Sequence, residues 1–165
     1  MPLAITISSA MLLMPTDGIP SAQSPEAPAT CTDEHAQLLT ERWARDMREK
    51  NLKDIMVMLS NEPMFIEPSG KKYRGRKSVR RLYERALNTF DSDITMKGHS
   101  LQPSRDRCSQ VGRFSENLRD RSTGAVTQYL GTYEFTYLLL PSGAWLLSRQ
   151  QWSLAHLTNE SSTPP

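Results

Sequence analysis

From residue 33 the apolar positions Ala36, Leu39, Trp43 and Met47 recur every three or four residues, with Glu41, Arg42, Arg45, Arg48 and Glu49 between them. That spacing predicts an amphipathic helix. Thr32 and Asp33 are suitable N-caps, and the helix is expected to end near Lys50. Asn51 followed by Asp54 reads as a fresh cap for a second, shorter helix, with Leu52, Ile55, Met56 and Leu59 as its apolar face. Ser60-Asn61-Glu62-Pro63 breaks it. Met64 to Glu67 is a short apolar run between prolines and reads as a strand. Residues 68–76, with two glycines and a proline, read as a loop. Lys77 to Asn88 carries Val79, Leu82, Tyr83, Ala86 and Leu87 at helical spacing and predicts a third helix.

Beyond Phe90 the period changes to two. Strands are expected over Asp93–His99, Cys108–Leu118, Ala125–Leu140 and Ala144–Leu154, the last three joined as an antiparallel meander by the turn clusters 119–124 and 141–143. Helices come mainly before the sheet, so the fold class is α+β and not an alternating α/β arrangement. Tyr129, Tyr133, Phe135, Tyr137 and Leu139 share strand parity, which makes them either an ordinary core face or the wall of an apolar pocket. Trp145 and Trp152 are seven apart and fall on opposite faces unless the strand bulges.

Composition adds boundaries. The chain has 165 residues and 38% hydrophobic content, the size of one domain plus tails. Residues 1–30 stand apart: Met1 to Met14 is uncharged and apolar, and the following stretch is rich in Pro, Ser, Ala and Thr. This is too short for a membrane span. It matches either the apolar core and cleavage zone of a secretory signal with an incomplete n-region, or a disordered tail. A secreted or periplasmic location is expected on the first reading, a cytoplasmic one on the second. Residues 158–165 read as a second disordered tail, leaving 31–157 as the domain. Cys31 and Cys108 are either one bridge or two free thiols.

Net charge is only +2, but eight cations and one acid lie between Lys71 and Arg85. The favoured reading of this run, on its charge pattern, is a solvated helix face with salt bridges to Glu41, Glu49, Asp54 or Glu84, and no nucleic-acid partner is expected. No His, Cys or carboxylate cluster has metal-ligand spacing, and no glycine loop cradles a phosphate, so neither metal nor cofactor is expected.

Two motifs carry a resemblance. Phe65-Ile66-Glu67-Pro68 is followed by Tyr73-Arg74-Gly75-Arg76 and then by Val79-Arg80; near the end, Gly143-Ala144-Trp145-Leu146-Leu147 is followed by Trp152-Ser153. With the element order, these resemble the NTF2-like superfamily, which includes SnoaL-like cyclases and ketosteroid isomerase-like proteins. The resemblance spans residues 33–154 and implies a cone of three N-terminal helices packed on a curved antiparallel sheet, with dimerisation through that sheet. It places Glu67 where ketosteroid isomerases carry a general-base aspartate. It also implies an acid near Phe135 as oxyanion donor, but none stands there, and adjacent Glu134 points to the other face. The tyrosine donor of the family's first helix has no match, since Trp43 and Met47 occupy that face. Tyr83, Tyr133 or Tyr137 remain as phenol donors.

The expected site is therefore Glu67 as base, with Trp43, Met47, Phe65, Tyr83, His99, Tyr133, Phe135, Tyr137 and Trp152 around a pocket. The competing reading of Glu67 is a structural carboxylate paired with Arg74, Arg76 or Arg80. The expected function is binding of a small apolar or amphipathic molecule by a homodimeric domain, with isomerase-, cyclase- or dehydratase-type chemistry on a carbon acid. The alternative is a non-catalytic secreted or periplasmic binding or dimerisation module.

Overall fold

The computed structural model describes residues 30–155. The signal-like stretch up to residue 29, His156 and the polar tail from Thr158 lie outside the described residues. Within them, the order is α1 (Asp33–Arg48), α2 (Leu52–Met58), β1 (Leu59–Ile66), β2 (Lys72–Arg74), α3 (Arg76–Thr89), β3 (Phe90–Pro103), β4 (Arg107–Asp120), β5 (Val126–Leu139) and β6 (Trp145–Leu154). The caps act where the side chains suit them. Thr32 accepts from the His35 backbone N–H at 3.2 Å, and Asn51 accepts from that of Asp54 at 3.3 Å. Gly75 caps α3 at φ 77°, a left-handed conformation that favours glycine. No helix among the described residues is long and apolar enough to cross a membrane.

The six strands form one sheet in the order β2-β1-β6-β5-β4-β3. It is α+β as expected, but the sheet is mixed and not purely antiparallel, because β1 runs parallel to β6. The expected loop 68–76 contains β2, which returns antiparallel to β1 and pairs Phe65 with Tyr73. The turn between them closes through Gly70 N–H to Glu67 C=O at 2.8 Å and Glu67 N–H to Lys71 C=O at 2.9 Å. Two strands thus precede α3. The long strands β3 to β6 pair antiparallel, with β6 out of regular register between Thr136 and Tyr137. That irregularity restores Trp145 to the same buried side as Trp152 (6% and 8% exposed) despite their odd spacing.

The helices cover one face of the sheet, and the core lies between. Inward residues form rows across the strands: Cys108 beside Tyr137, Gln110 beside Phe135, Gly112 beside Tyr133 and Trp152, and Glu116 beside Ile94 and Tyr129. Gly112 is required by crowding, since a Cβ there would stand 2.4 Å from the Tyr133 ring. Cys31 and Cys108 form a disulfide, both buried, that fastens the entry to α1 onto β4.

Candidate functional site

At one end of the core the helices and sheet separate around a cavity of about 300 Å³. Its wall is built from Trp43 and Met47 of α1, Leu82, Tyr83, Ala86 and Leu87 of α3, and Phe65 at the end of β1. The sheet contributes Phe90, Ser92 and Ile94 from β3, Phe114, Glu116 and Leu118 from β4, Tyr129 from β5, and Trp152 and Leu154 from β6. Glu67 and Pro68 complete it. The helical positions are the i, i+3, i+4 stripe that amphipathic packing turns inward, and the strand positions are every second residue. The Trp152 ring sits edge-on to Phe114 at 5.0 Å between centroids and tilted against Trp43 at 5.5 Å. Its indole N–H is buried with no hydrogen-bond partner among the described residues.

Glu67 follows β1 directly and is half-buried. One carboxylate oxygen accepts from the Tyr73 hydroxyl at 2.7 Å, the other from the Ser69 hydroxyl at 3.3 Å. Both donors belong to the β1–β2 hairpin, so the turn that brings β2 back also orients the acid. The arginine clamp of the competing reading is not formed among the described residues. Arg76 instead donates to the backbone carbonyls of Met56 (2.7 Å), Leu59 (2.7 Å) and Ser60 (3.0 Å), and Arg80 pairs with Glu84 at 2.7 Å. Of the salt bridges expected for the basic run, Arg80–Glu84 is the one present among the described residues.

A second carboxyl opens on the same cavity. Glu116 accepts from the Ser92 hydroxyl at 2.5 Å across the β3–β4 pair. Burial pushes its pKa above the ordinary carboxylate value, and the Ser92 bond opposes that only in part. The sequence reading missed Glu116. Its signal was the alternation Phe114, Glu116, Leu118, which sets an acid on an otherwise apolar strand face.

Of the residues picked from sequence, Trp43, Met47, Phe65, Glu67, Tyr83 and Trp152 meet at the cavity, whereas His99, Tyr133, Phe135 and Tyr137 do not line it. Tyr133, Phe135 and Tyr137 lie 1% exposed or less, buried in the core away from the cavity wall. Their polar groups are engaged there: Thr40 bonds Tyr137 at 2.7 Å and Gln110 at 2.6 Å, and Tyr133 donates to Gln110 at 3.1 Å. Burial pushes the Tyr133 phenol up to about 12 and raises Tyr137 further. Tyr83 presents its ring to the cavity, but its hydroxyl accepts from Trp43 Nε1 at 3.1 Å and donates to Gln150. No phenol proposed as an oxyanion donor is therefore free to serve as one. His99 is exposed because β3 continues past it to Pro103, which carries it along the sheet and away from the cavity. Among the described residues no group of three or more His, Cys, Asp or Glu could hold a metal ion.

The architecture is an NTF2-like fold. A ketosteroid isomerase-like protein from Erwinia carotovora atroseptica superposes with a TM-score of 0.66 at 14% identity, covering 72% of this chain and 92% of that one. An NTF2-like superfamily protein from Salmonella enterica serovar Typhimurium gives 0.67 at 14% identity, covering 80% and 96%. A scytalone dehydratase-like protein from Novosphingobium aromaticivorans gives 0.66 at 10% identity, covering 73% and 81%. At these identities the shared property is the fold. No family model matches the sequence, and no curated protein matches it.

Proposed function

We propose that the domain takes a small apolar or amphipathic molecule into this cavity and abstracts a proton from a carbon beside a carbonyl, with Glu67 as general base. The observation that supports this best is a carboxylate held by Tyr73 and Ser69 at an aromatic-walled cavity. About 300 Å³ is the small end of ligand-pocket volumes and suits a body of one or two rings. Structural neighbours described as ketosteroid isomerase-like and scytalone dehydratase-like agree with such chemistry. The test needs no finished substrate. Small cyclic ketones such as 1-indanone are incubated with the protein in deuterated water, and exchange at the carbon next to the carbonyl is followed by proton NMR. Catalysed exchange is expected, with Glu67→Gln slowing it by about 100-fold or more, the scale of general-base catalysis.

A second reading, the non-catalytic binding module, draws on the fact that both Glu67 oxygens already accept hydroxyl bonds. Exchange no faster than in buffer decides for that reading, whereas catalysed exchange that is equal in wild type and Glu67→Gln removes Glu67 as the base.

A further inference from the structure

The distribution of charge around the cavity bears on the class of molecule it accepts. Its wall holds seven aromatic side chains and two carboxyl groups, and no Lys, Arg or His is among the described residues lining it. The two acids are unequally placed. Glu67 lies in the field of Lys71, whose ammonium group stands 5.0 Å from the Tyr73 ring centroid. The Lys71 pKa is raised, first by its bond to Tyr73 and further by attraction to Tyr73 and Glu67. Among the described residues Glu116 has the Ser92 hydroxyl as its one hydrogen-bond partner. Its neighbours across the sheet, Ile94 on β3 and Tyr129 on β5, are uncharged. Burial is what displaces its pKa upward, and the Ser92 bond opposes it.

An anionic ligand would bring like charge beside Glu116 with nothing in the wall to offset it. A protonated amine would bring the counter-charge that the wall lacks and set it against aromatic faces, which attract cations. We propose that the cavity is a site for an apolar organic amine, with its ammonium group paired to Glu116 and its hydrocarbon body against the aromatic wall. This rests on the reading of the cavity as the ligand site. The unpartnered Trp152 indole N–H, on a side chain 8% exposed, suits an acceptor such as a hydroxyl or carbonyl on the same molecule.

Three probes with one skeleton test it: 1-aminoindane, 1-indanol and indane-1-carboxylate, titrated against the whole chain near neutral pH. Fluorescence of Trp43 and Trp152, which line the cavity, reports binding, and calorimetry confirms it. The amine is expected to bind at least tenfold tighter than the alcohol, and the carboxylate weakest. Glu116→Gln, which keeps the shape and the Ser92 acceptor, should bring the ratio of amine to alcohol affinity to about one within that variant. Glu67→Gln should leave the preference for the amine in place. If the alcohol binds and the amine is not preferred, or if the preference survives in Glu116→Gln, the inference is overturned while the ligand-site reading stands. Binding by none of the three overturns both.

Discussion

Burying the Glu116 carboxyl against Ile94, Tyr129 and the apolar wall disfavours its ionised form, so the folded chain holds that proton to a higher pH than the unfolded chain does. The stability this gives is fully present below the unfolded glutamate value, about 4.3. It is lost as pH rises through the raised value in the fold. Glu116→Gln cannot ionise and keeps it. Chemical denaturation should therefore show the variant and wild type nearly equal at low pH, with the variant the more stable at pH 8. A wild type that gains on the variant as pH rises would mean that the ionised carboxyl is stabilised in the fold. A group that costs stability where it stands, in a cavity wall, is a candidate for function. Glu67 was legible in the sequence because a four-residue motif, Phe65 to Pro68, carried it. Glu116 was not, although parity with Phe114 and Leu118 put it on an apolar face. A single strand does not say which of its faces turns inward, and only pairing with β3 and β5 shows that this one does. Tyr133, Phe135 and Tyr137 show the same limit in reverse: parity grouped them correctly, but how far the cavity extends along their strand depends on what packs over it, as Thr40 of α1 does over Tyr137.

At the scale of elements, α2, β1 and α3 are joined through one side chain. Arg76, the first residue of α3, reaches back to three carbonyls, on Met56 near the end of α2 and on Leu59 and Ser60 at the start of β1. A helix end leaves carbonyls without partners, and a guanidinium offers several donors in a fixed fork to meet them. Arg76→Ala should lower stability by about 3 kcal/mol, since each bond from a charged donor contributes ~1.5–3 kcal/mol and such terms are not additive. Arg76→Lys should recover only part, because a single ammonium does not span the three acceptors. Urea denaturation of both variants measures this, and a loss below about 1 kcal/mol for Arg76→Ala would remove the joint from the account. Helix caps at Thr32 and Asn51 were readable because capping is local. The role of Arg76 was not, since a basic run looks alike whether its members face water or a backbone. The strand β2 escaped because three residues show no period. The parallel pairing of β1 with β6 escaped because it joins segments some eighty residues apart in the chain.

The whole molecule is closed by the bond between Cys31 and Cys108, which lie 77 residues apart in sequence. Without it, the segment entering α1 has no covalent hold on the sheet. The bond's effect falls mainly on the unfolded chain, where closing a loop of this length removes conformational freedom worth about 4 kcal/mol on the chain-entropy model. Such bonds persist in oxidising compartments, so of the two readings of residues 1–30 the bridge accords with the secretory signal. The prediction is that reduction with dithiothreitol, or replacement of Cys31 and Cys108 together by serine, lowers unfolding free energy by about 4 kcal/mol. The reduced and serine forms should agree with each other within about 1 kcal/mol, a margin that allows for the new hydroxyls. Both cysteines are buried, so the serine form also carries a small polar burial term that the reduced form lacks. If neither treatment changes the denaturation midpoint, the bridge does not constrain the unfolded chain and the argument for an oxidising compartment loses its physical basis. If both do, a protein made in a reducing compartment should unfold at lower denaturant than the same chain made in an oxidising one. Comparing the two preparations in one denaturation series, with free thiols counted in each, ties the covalent bond to the compartment in which this fold reaches its full stability.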